Sequence, residues 1–335
     1  MNLLFTCAGR RTYLINYFKE ALAGDGLIVC ADMQLSAPAL SAADIRIQVP
    51  GVYDSHYVEK VLEICKDYQI KLLISLNDLE LPILSERKSE FESIGVRVAV
   101  SSPEVIRICF DKFLTCQFAS RIGLNIPRTF IDLEEAIAAI RSNSINLPVI
   151  LKPRWGSGSI GMEYVDDLDD LSAVYFLLKK KLRKSILKNA SSNSNEILIQ
   201  EVVNGVEFGL DIMNDLNGNF QYVSAKRKLG MRSGETDKAT TIDDEALRNI
   251  GEKISKQLKH IGNLDCDILA KDGKYYLIDL NPRFGGGYPF SHEAGVNLPK
   301  AMIEWTKGNI VPLEWLTPKY GLTFAKCDYL VNVTV

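Results

Sequence analysis

The chain has 335 residues, of which 47% are hydrophobic and 24% charged, with a formal net charge of −3. That composition suits a soluble globular protein with material for two or three cores. The slightly acidic balance offers no general attraction to nucleic acid or acidic membrane, and no apolar run reaches the length of a bilayer span.

The N-terminus, MNLLFTCAGRR, begins a strand and lacks a signal-peptide layout, so a cytoplasmic protein is expected. The seven cysteines are scattered without a CxxC pair, which fits buried free thiols in a reducing cytosol. The three histidines lie far apart in sequence, so no zinc site is expected.

Over the first hundred residues strand and helix alternate. NLLFTC, LIVCAD, KLLISL and VRVAV read as strands, and RTYLINYFKEAL and HYVEKVLEICKDY as helices. This order predicts a mainly parallel sheet covered by helices, with ligands beyond the carboxyl ends of the strands. Gly9–Arg10–Arg11, Asp32, and Asn77, Asp78 and Glu80 stand at such ends. Turn chemistry and helix capping explain the same residues, and a lone Gly9 is no dinucleotide fingerprint.

Ser102 and Pro103 open a helix, and Asp111 caps a second one that Gly123 ends. Lys112 falls in the first turn of the second helix, where a cation opposes the helix dipole. A surface lysine explains this plainly; a bound polyanion would justify its cost. The main domain boundary is placed near residue 105, with a change of segment at Pro127 and a helix over about 133–142.

LPVILK reads as a strand ending in Lys152. The glycine loop Gly156–Gly161 follows, with Ser157, Gly158 and Ser159 inside it, and MEYV resumes a strand. Glycines let backbone N–H groups approach phosphate oxygens, and a lysine supplies a point charge. A plain hairpin with a glycine turn fits equally well, and no Walker motif is present. The basic helix over LSAVYFLLKKKLRKSILKNA reads as a solvated face, and SSNSNE as an exposed loop.

EILIQEVVNGVEFGLDIM reads as strand, break, strand, with Gln200 and Glu201 ending the first run and Glu207 past the break. FQYVSAKRKLGMRSGETDKATTI continues as strand, charged loop, strand. Arg232 and Lys238 are candidates there for holding a substrate carboxylate. A helix with Leu247, Ile250, Ile254, Leu258 and Ile261 on one face should cover the next sheet.

That sheet carries the strongest signal. LDCDILA and YYLIDLN flank the turn KDGK, which predicts a hairpin that can bring Asp267 opposite the face carrying Asp279. Strand alternation puts Asp279, Asn281 and Arg283 on one face, and Ile278 and Leu280 on the other. Two carboxylates and an amide oxygen are hard ligands that suit magnesium, although a surface hairpin with solvated acids shows the same pattern. The final stretch from about 306 carries one strand-like run, DYLVNVTV.

Five motifs in this order, DK at 111–112, KPRWGSGSIG at 152–161, QEVVNGVEFGLDI at 200–212, CDIL at 266–269 and DLNPR at 279–283, resemble the ATP-grasp superfamily, especially members like the carbamoyl phosphate synthase large subunit. The resemblance implies an α/β and α+β chain: a Rossmann-like pre-ATP-grasp domain over 1–105, then a two-subdomain ATP-grasp fold over 106–305. The small subdomain, about 125–203, would be inserted, and a tail over 306–335 would pack on the body. It further implies that Lys112 and Lys152 hold ATP phosphates under the loop Gly156–Gly161. Gln200, Glu201 and Val203 would hold the adenine and Glu207 the ribose. Asp267, Asp279 and Asn281 would hold Mg2+, or Mn2+ in its place, and Arg283 would stabilise the transition state. Lys152 and Arg232 complete the candidate catalytic set. The family usually has glutamate where Asp267 and Asp279 stand.

The implied activity is that of an ATP-dependent carboxylate–amine ligase passing through an acyl-phosphate. Its partners would be small-molecule carboxylate and amine substrates and a second copy of the chain in a homodimer, without nucleic acid or membrane. Phosphorylation of bicarbonate or carbamate is the alternative, weakened by a single ATP-grasp copy and no glutaminase motif. A nucleotide-binding module without catalysis is the third reading.

Overall fold

The computed structural model describes residues 1–156, 161–185, 187 and 196–333. The first sheet comprises β1 (Asn2–Thr6), β2 (Ile28–Asp32), β3 (Ile45–Gln48), β4 (Ile70–Ser75) and β5 (Arg97–Val98). All its pairings are parallel, in the order β3-β2-β1-β4-β5. The helices α1 (Thr12–Leu22), α2 (Tyr57–Asp67), α3 (Leu81–Glu86) and α4 (Lys88–Ser93) return the chain between strands. Leu3 and Phe5 of β1 pack on the α1 side, whereas Leu4 packs with Val61 and Ile64 of α2, so both faces of the sheet are covered. Strand β3, absent from the sequence reading, is a short edge strand. The order of connection reverses between β1 and β4, which opens a crevice at their carboxyl ends.

Glu80 lies in that crevice but faces inward. It is fully buried and accepts hydrogen bonds from Tyr57 OH at 2.6 Å, Ser75 Oγ at 2.5 Å and Thr6 Oγ1 at 2.8 Å. Its lone pairs are therefore used in tying β1, α2 and β4 together. Burial pushes its pKa above the ordinary glutamate value of 4.5, and the hydroxyls only partly offset this. The folded state then holds a proton that the unfolded chain has released, so this group's contribution falls as pH rises past that ordinary value. Comparing wild type with Glu80→Gln by urea unfolding from about pH 5 to pH 8, the stability of wild type relative to the variant should decline steadily. Parallel profiles would show that the buried carboxyl does not titrate in this way.

Helices α5 (Pro103–Phe110) and α6 (Lys112–Arg121) follow. Their caps are as predicted: Ser102 Oγ accepts from Val105 N, and Asp111 accepts from Phe113 N and Leu114 N. A second sheet holds β6 (Thr129–Phe130), β7 (Val149–Pro153), β8 (Glu163–Val165) and β9 (Ile197–Glu201) in the order β6-β9-β7-β8, covered by α7 (Leu133–Arg141) and α8 (Leu168–Leu182).

The third sheet has β10 (Val206–Asn214), β11 (Phe220–Arg232), β12 (Glu235–Ile242), β13 (Asn263–Lys271), β14 (Lys274–Asn281) and β15 (Thr323–Ala325), in the order β14-β13-β10-β11-β12-β15. Helix α9 (Glu245–Leu258) closes its core with Leu247, Ile254 and Leu258. Gly251 of α9 needs to be glycine, since a Cβ there would lie 2.7 Å from Val223 of β11. Helices α10 (Tyr288–Glu293) and α11 (Leu298–Thr306) then pack back toward α1.

Two expectations fail here. The charged stretch 226–232 is strand, not loop, because β11 and β12 pair almost to their tips around Ser233 and Gly234. The run 328–335 is not a strand over its described residues: pairing with β12 is confined to Thr323–Ala325, and Leu330 is fully exposed.

Candidate functional site

The predicted hairpin forms: Asp267 pairs with Asp279, and Asp265 with Asn281. Its turn residues Asp272 and Gly273 both have positive φ, +50° and +74°, as a tight two-residue hairpin requires. A bulge between Asp267 and Ile268 leaves Ile278 without a cross-strand partner. Leu277 and Leu280 enter the core, whereas Ile278 joins Asp279 on the open face. Simple alternation therefore misplaces Ile278, because the extra residue resets the period.

That face forms one wall of a cleft of about 450 Å³, and the second sheet forms the other. Lys112, Lys152, Gly156, Gln200, Glu201, Val203, Glu207, Asp267 and Asp279 all line it. Gly161 closes the glycine segment at φ +73° against Pro153. Ser157, Gly158 and Ser159 lie outside the described residues, as does most of the SSNSNE segment.

Lys112 is aimed by its neighbour. The Asp111 carboxylate caps α6 and also receives Arg154 Nε and an Arg154 terminal nitrogen, both at 2.7 Å. Lys112 N bonds Arg154 O at 3.0 Å, which pins the start of α6 to the end of β7. The Lys112 ammonium then reaches both oxygens of Asp279 at 2.8 Å. Lys152, at 6% exposure, donates to Gln200 Oε1 at 2.8 Å, and Gln200 Nε2 donates to Thr129 Oγ1 at 2.7 Å. Burial, and then the charge of Lys112, lower the Lys152 pKa to about 8. A buried ammonium with one neutral acceptor is poorly compensated and gains by meeting an anion.

Lys228 was not predicted for this site. It donates to Glu207 Oε1 at 2.7 Å and Asp267 Oδ1 at 2.6 Å. Burial alone would lower its pKa, but Asp267 and Glu207 outweigh that and hold it above the ordinary lysine range. Reading 226–232 as a strand would have revealed it, since Lys226 and Lys228 then share one face.

Arg283 and Asn281 stand beside this cleft rather than in its lining. Arg283 is buried and bonds Asp78 Oδ2 at 2.7 Å, with Asp265 at 3.7 Å. Desolvation disfavours its charge, but Asp78 and Asp265 more than restore it. Asn281 and Asp78 border a small adjoining cavity. Arg232 is not among the residues lining the cleft. Its half-exposed guanidinium pairs with Asp237 at 3.0 Å and Asp328 at 2.5 Å, while its neighbours Met231 and Gly234 line the cleft. Among the described residues, no three acidic, histidine or cysteine side chains form a ready metal cage. No described helix is long and apolar enough to cross a membrane.

Comparison with known proteins follows this division. The family described as PylC-like, N-terminal domain, matches residues 3–99, which hold the parallel sheet. The family described as ATP-grasp in the biosynthetic pathway with Ter operon matches residues 193–328, which hold the acidic hairpin. The chain is 25% identical over 284 residues to the carbamoyl phosphate synthase large chain of Pseudothermotoga lettingae, covering 80% of this chain and 24% of that protein. It is 30% identical over 204 residues to that of Methanothermobacter thermautotrophicus, covering 56% and 18%. The chain thus spans about a quarter or less of the length of these relatives. In fold it resembles a Campylobacter jejuni biotin carboxylase solved as a β,γ-ATP complex, with TM-score 0.73 and 16% identity over 95% of this chain and 73% of that one. It also resembles N5-carboxyaminoimidazole synthetase from Staphylococcus aureus, with TM-score 0.68 and 16% identity over 93% and 78%. The parallel sheet thus lies inside the PylC-like match and the Asp267–Asp279 hairpin inside the ATP-grasp match, so the chain is similar in both parts to ATP-grasp proteins.

Proposed function

We propose that the chain is an ATP-dependent carboxylate–amine ligase that releases ADP and phosphate. The observation that carries this reading is the facing pair Asp267–Asp279 in one cleft with Lys112 and Lys152. We read residues 1–105 as the pre-ATP-grasp domain, 106–305 as the ATP-grasp domain with 125–203 inserted, and the rest as a tail.

The donor set fits Mg2+, which needs only one or two protein carboxylates when phosphates supply further oxygens. Asp267 and Asp279 would hold it with Asn281, and when bound it would neutralise charge developing on the phosphates. At present the ammonium groups of Lys228 and Lys112 compensate these two carboxylates. Lys112 can turn from Asp279 toward a phosphate without leaving the cleft, and Lys152 can meet another. Gln200, Glu201 and Val203 border the adenine end, and Glu207 accepts ribose hydroxyls.

The carboxylate oxygen of one substrate attacks the γ-phosphorus, and ADP leaves with the bridging electron pair. The amine then attacks the acyl carbon, phosphate departs, and the nitrogen loses its proton. Arg283 stabilises the oxyanion of that second step. ADP release should require both a carboxylic acid and ATP, and an amine should convert the acyl-phosphate to amide. ATP binding without turnover under any acid would replace this reading with the non-catalytic one.

A further inference from the structure

Beside the nucleotide cleft, the loop after β1 meets the glycine turn 285–287 and the β11–β12 hairpin. Arg11 reaches across the β1/β4 crevice to donate to Leu76 O at 2.8 Å, and its other terminal nitrogen lies 3.9 Å from Glu235 Oε1. Gly285 and Gly286 press against the carboxylates of Asp265 and Glu235, where a Cβ would lie 2.0 Å and 2.8 Å away. The Glu235 side chain is 47% exposed, so the nook opens to solvent on that side.

Three buried donors of this nook have no hydrogen-bond partner among the described residues: Arg11 Nε, Tyr13 OH and Arg283 Nε. Buried donors are rarely left so, because each costs about 1–3 kcal/mol unless something accepts from it. They share one neighbourhood: besides burial, the charges of Arg11, Glu235, Arg283 and Asp265 all act on the Tyr13 hydroxyl, whose pKa is pushed up to about 12. It therefore stays a donor. Arg11, Arg283 and Lys326 stand against Glu235, Asp78 and Asp265; burial raises the Asp265 pKa to about 7, so the charges balance above that pH. A balanced setting with spare donors suits a dipolar ligand better than one of net charge. Lys326 Nζ at 3.1 Å shows that Glu235 accepts an ammonium.

We propose that this nook binds an α-amino acid as one of the two substrates, its carboxylate received by Arg11 Nε, Tyr13 OH and Arg283 Nε and its ammonium by Glu235. The assignment rests on the ligase reading for the word substrate, and on the unpartnered donors for the binding itself. It moves substrate recognition from Arg232 and Lys238 to the parallel-sheet loop.

Calorimetry on the full chain with each standard L-α-amino acid tests it. At least one should bind saturably, and its 2-hydroxy analogue and its decarboxylated amine should each bind about tenfold or more weakly. Tyr13→Phe, which removes one oxygen, and Glu235→Gln should weaken binding by about tenfold while ADP affinity stays within about twofold. Absence of saturable binding by any of these amino acids, equal binding of the hydroxy acid, or an unchanged Tyr13→Phe variant would overturn the proposal. Amino-acid binding without ADP release would sink the ligase reading and leave the nook intact. ADP release driven by an acid lacking an amine, indifferent to Tyr13→Phe, would do the reverse.

Discussion

Asp279→Asn should lower substrate-dependent ADP release by roughly a thousandfold, equivalent to about 4 kcal/mol of transition-state stabilisation. Asparagine keeps the size and one oxygen of Asp279 but loses the charge. Two consequences follow in the proposed site. The cation would lose half of its facing carboxylate pair, and Lys112 would lose the group now holding it at 2.8 Å. The competing account is that Lys112–Asp279 is only a structural ion pair. Both side chains are largely but not fully buried, at 13% and 17% exposure, so a structural pair would show mainly in stability. Initial rates of ADP formation, paired with unfolding midpoints, separate the two. A variant with unchanged stability and rates within about tenfold of wild type would remove Asp279 from the chemistry.

The largest stability effect is expected at Lys226. It lies in β11 at 1% exposure, against Asp211 of β10 at 0%. Asp211 also receives Ser291 Oγ at 2.5 Å and Asn263 Nδ2 at 3.0 Å, so the network ties β10, β11, β13 and α10 together. Lys226→Met keeps most of the side-chain volume but leaves a buried carboxylate without its counter-charge. That should cost about 3–5 kcal/mol in denaturant unfolding. Replacing both partners, Lys226→Met with Asp211→Leu, should recover part of the loss, since no uncompensated charge remains. An effect of the single change below about 1 kcal/mol would mean that Ser291 and Asn263 alone satisfy Asp211.

Much of this site was legible in local patterns. KDGK has the chemistry of a two-residue turn, and antiparallel pairing counted from it brings Asp267 to within one position of Asp279; the bulge at Ile278 supplies the last step. Asp111 before KFLT marks a helix start, and Lys112 follows by one position. The β7 run that ends in Lys152 and the break between β9 and β10 carried equally short-range signals. Where the reading failed, the missing information was in the partner strand or in another layer. Ile278 needed the bulge, and Lys228 needed a long β12 to make its segment a strand.

Residue order alone settled the succession of parallel and antiparallel units, the caps and the acidic hairpin. These depend on periodicity, turn geometry and capping, which act over a few neighbouring residues. Tertiary structure alone decided which lysine compensates which carboxylate, and that Glu80 is spent inside while Arg11, Tyr13 and Arg283 meet. Those outcomes depend on distances between groups far apart in the chain, and on burial that strengthens or extinguishes a charge. Neither quantity exists until the sheets have packed.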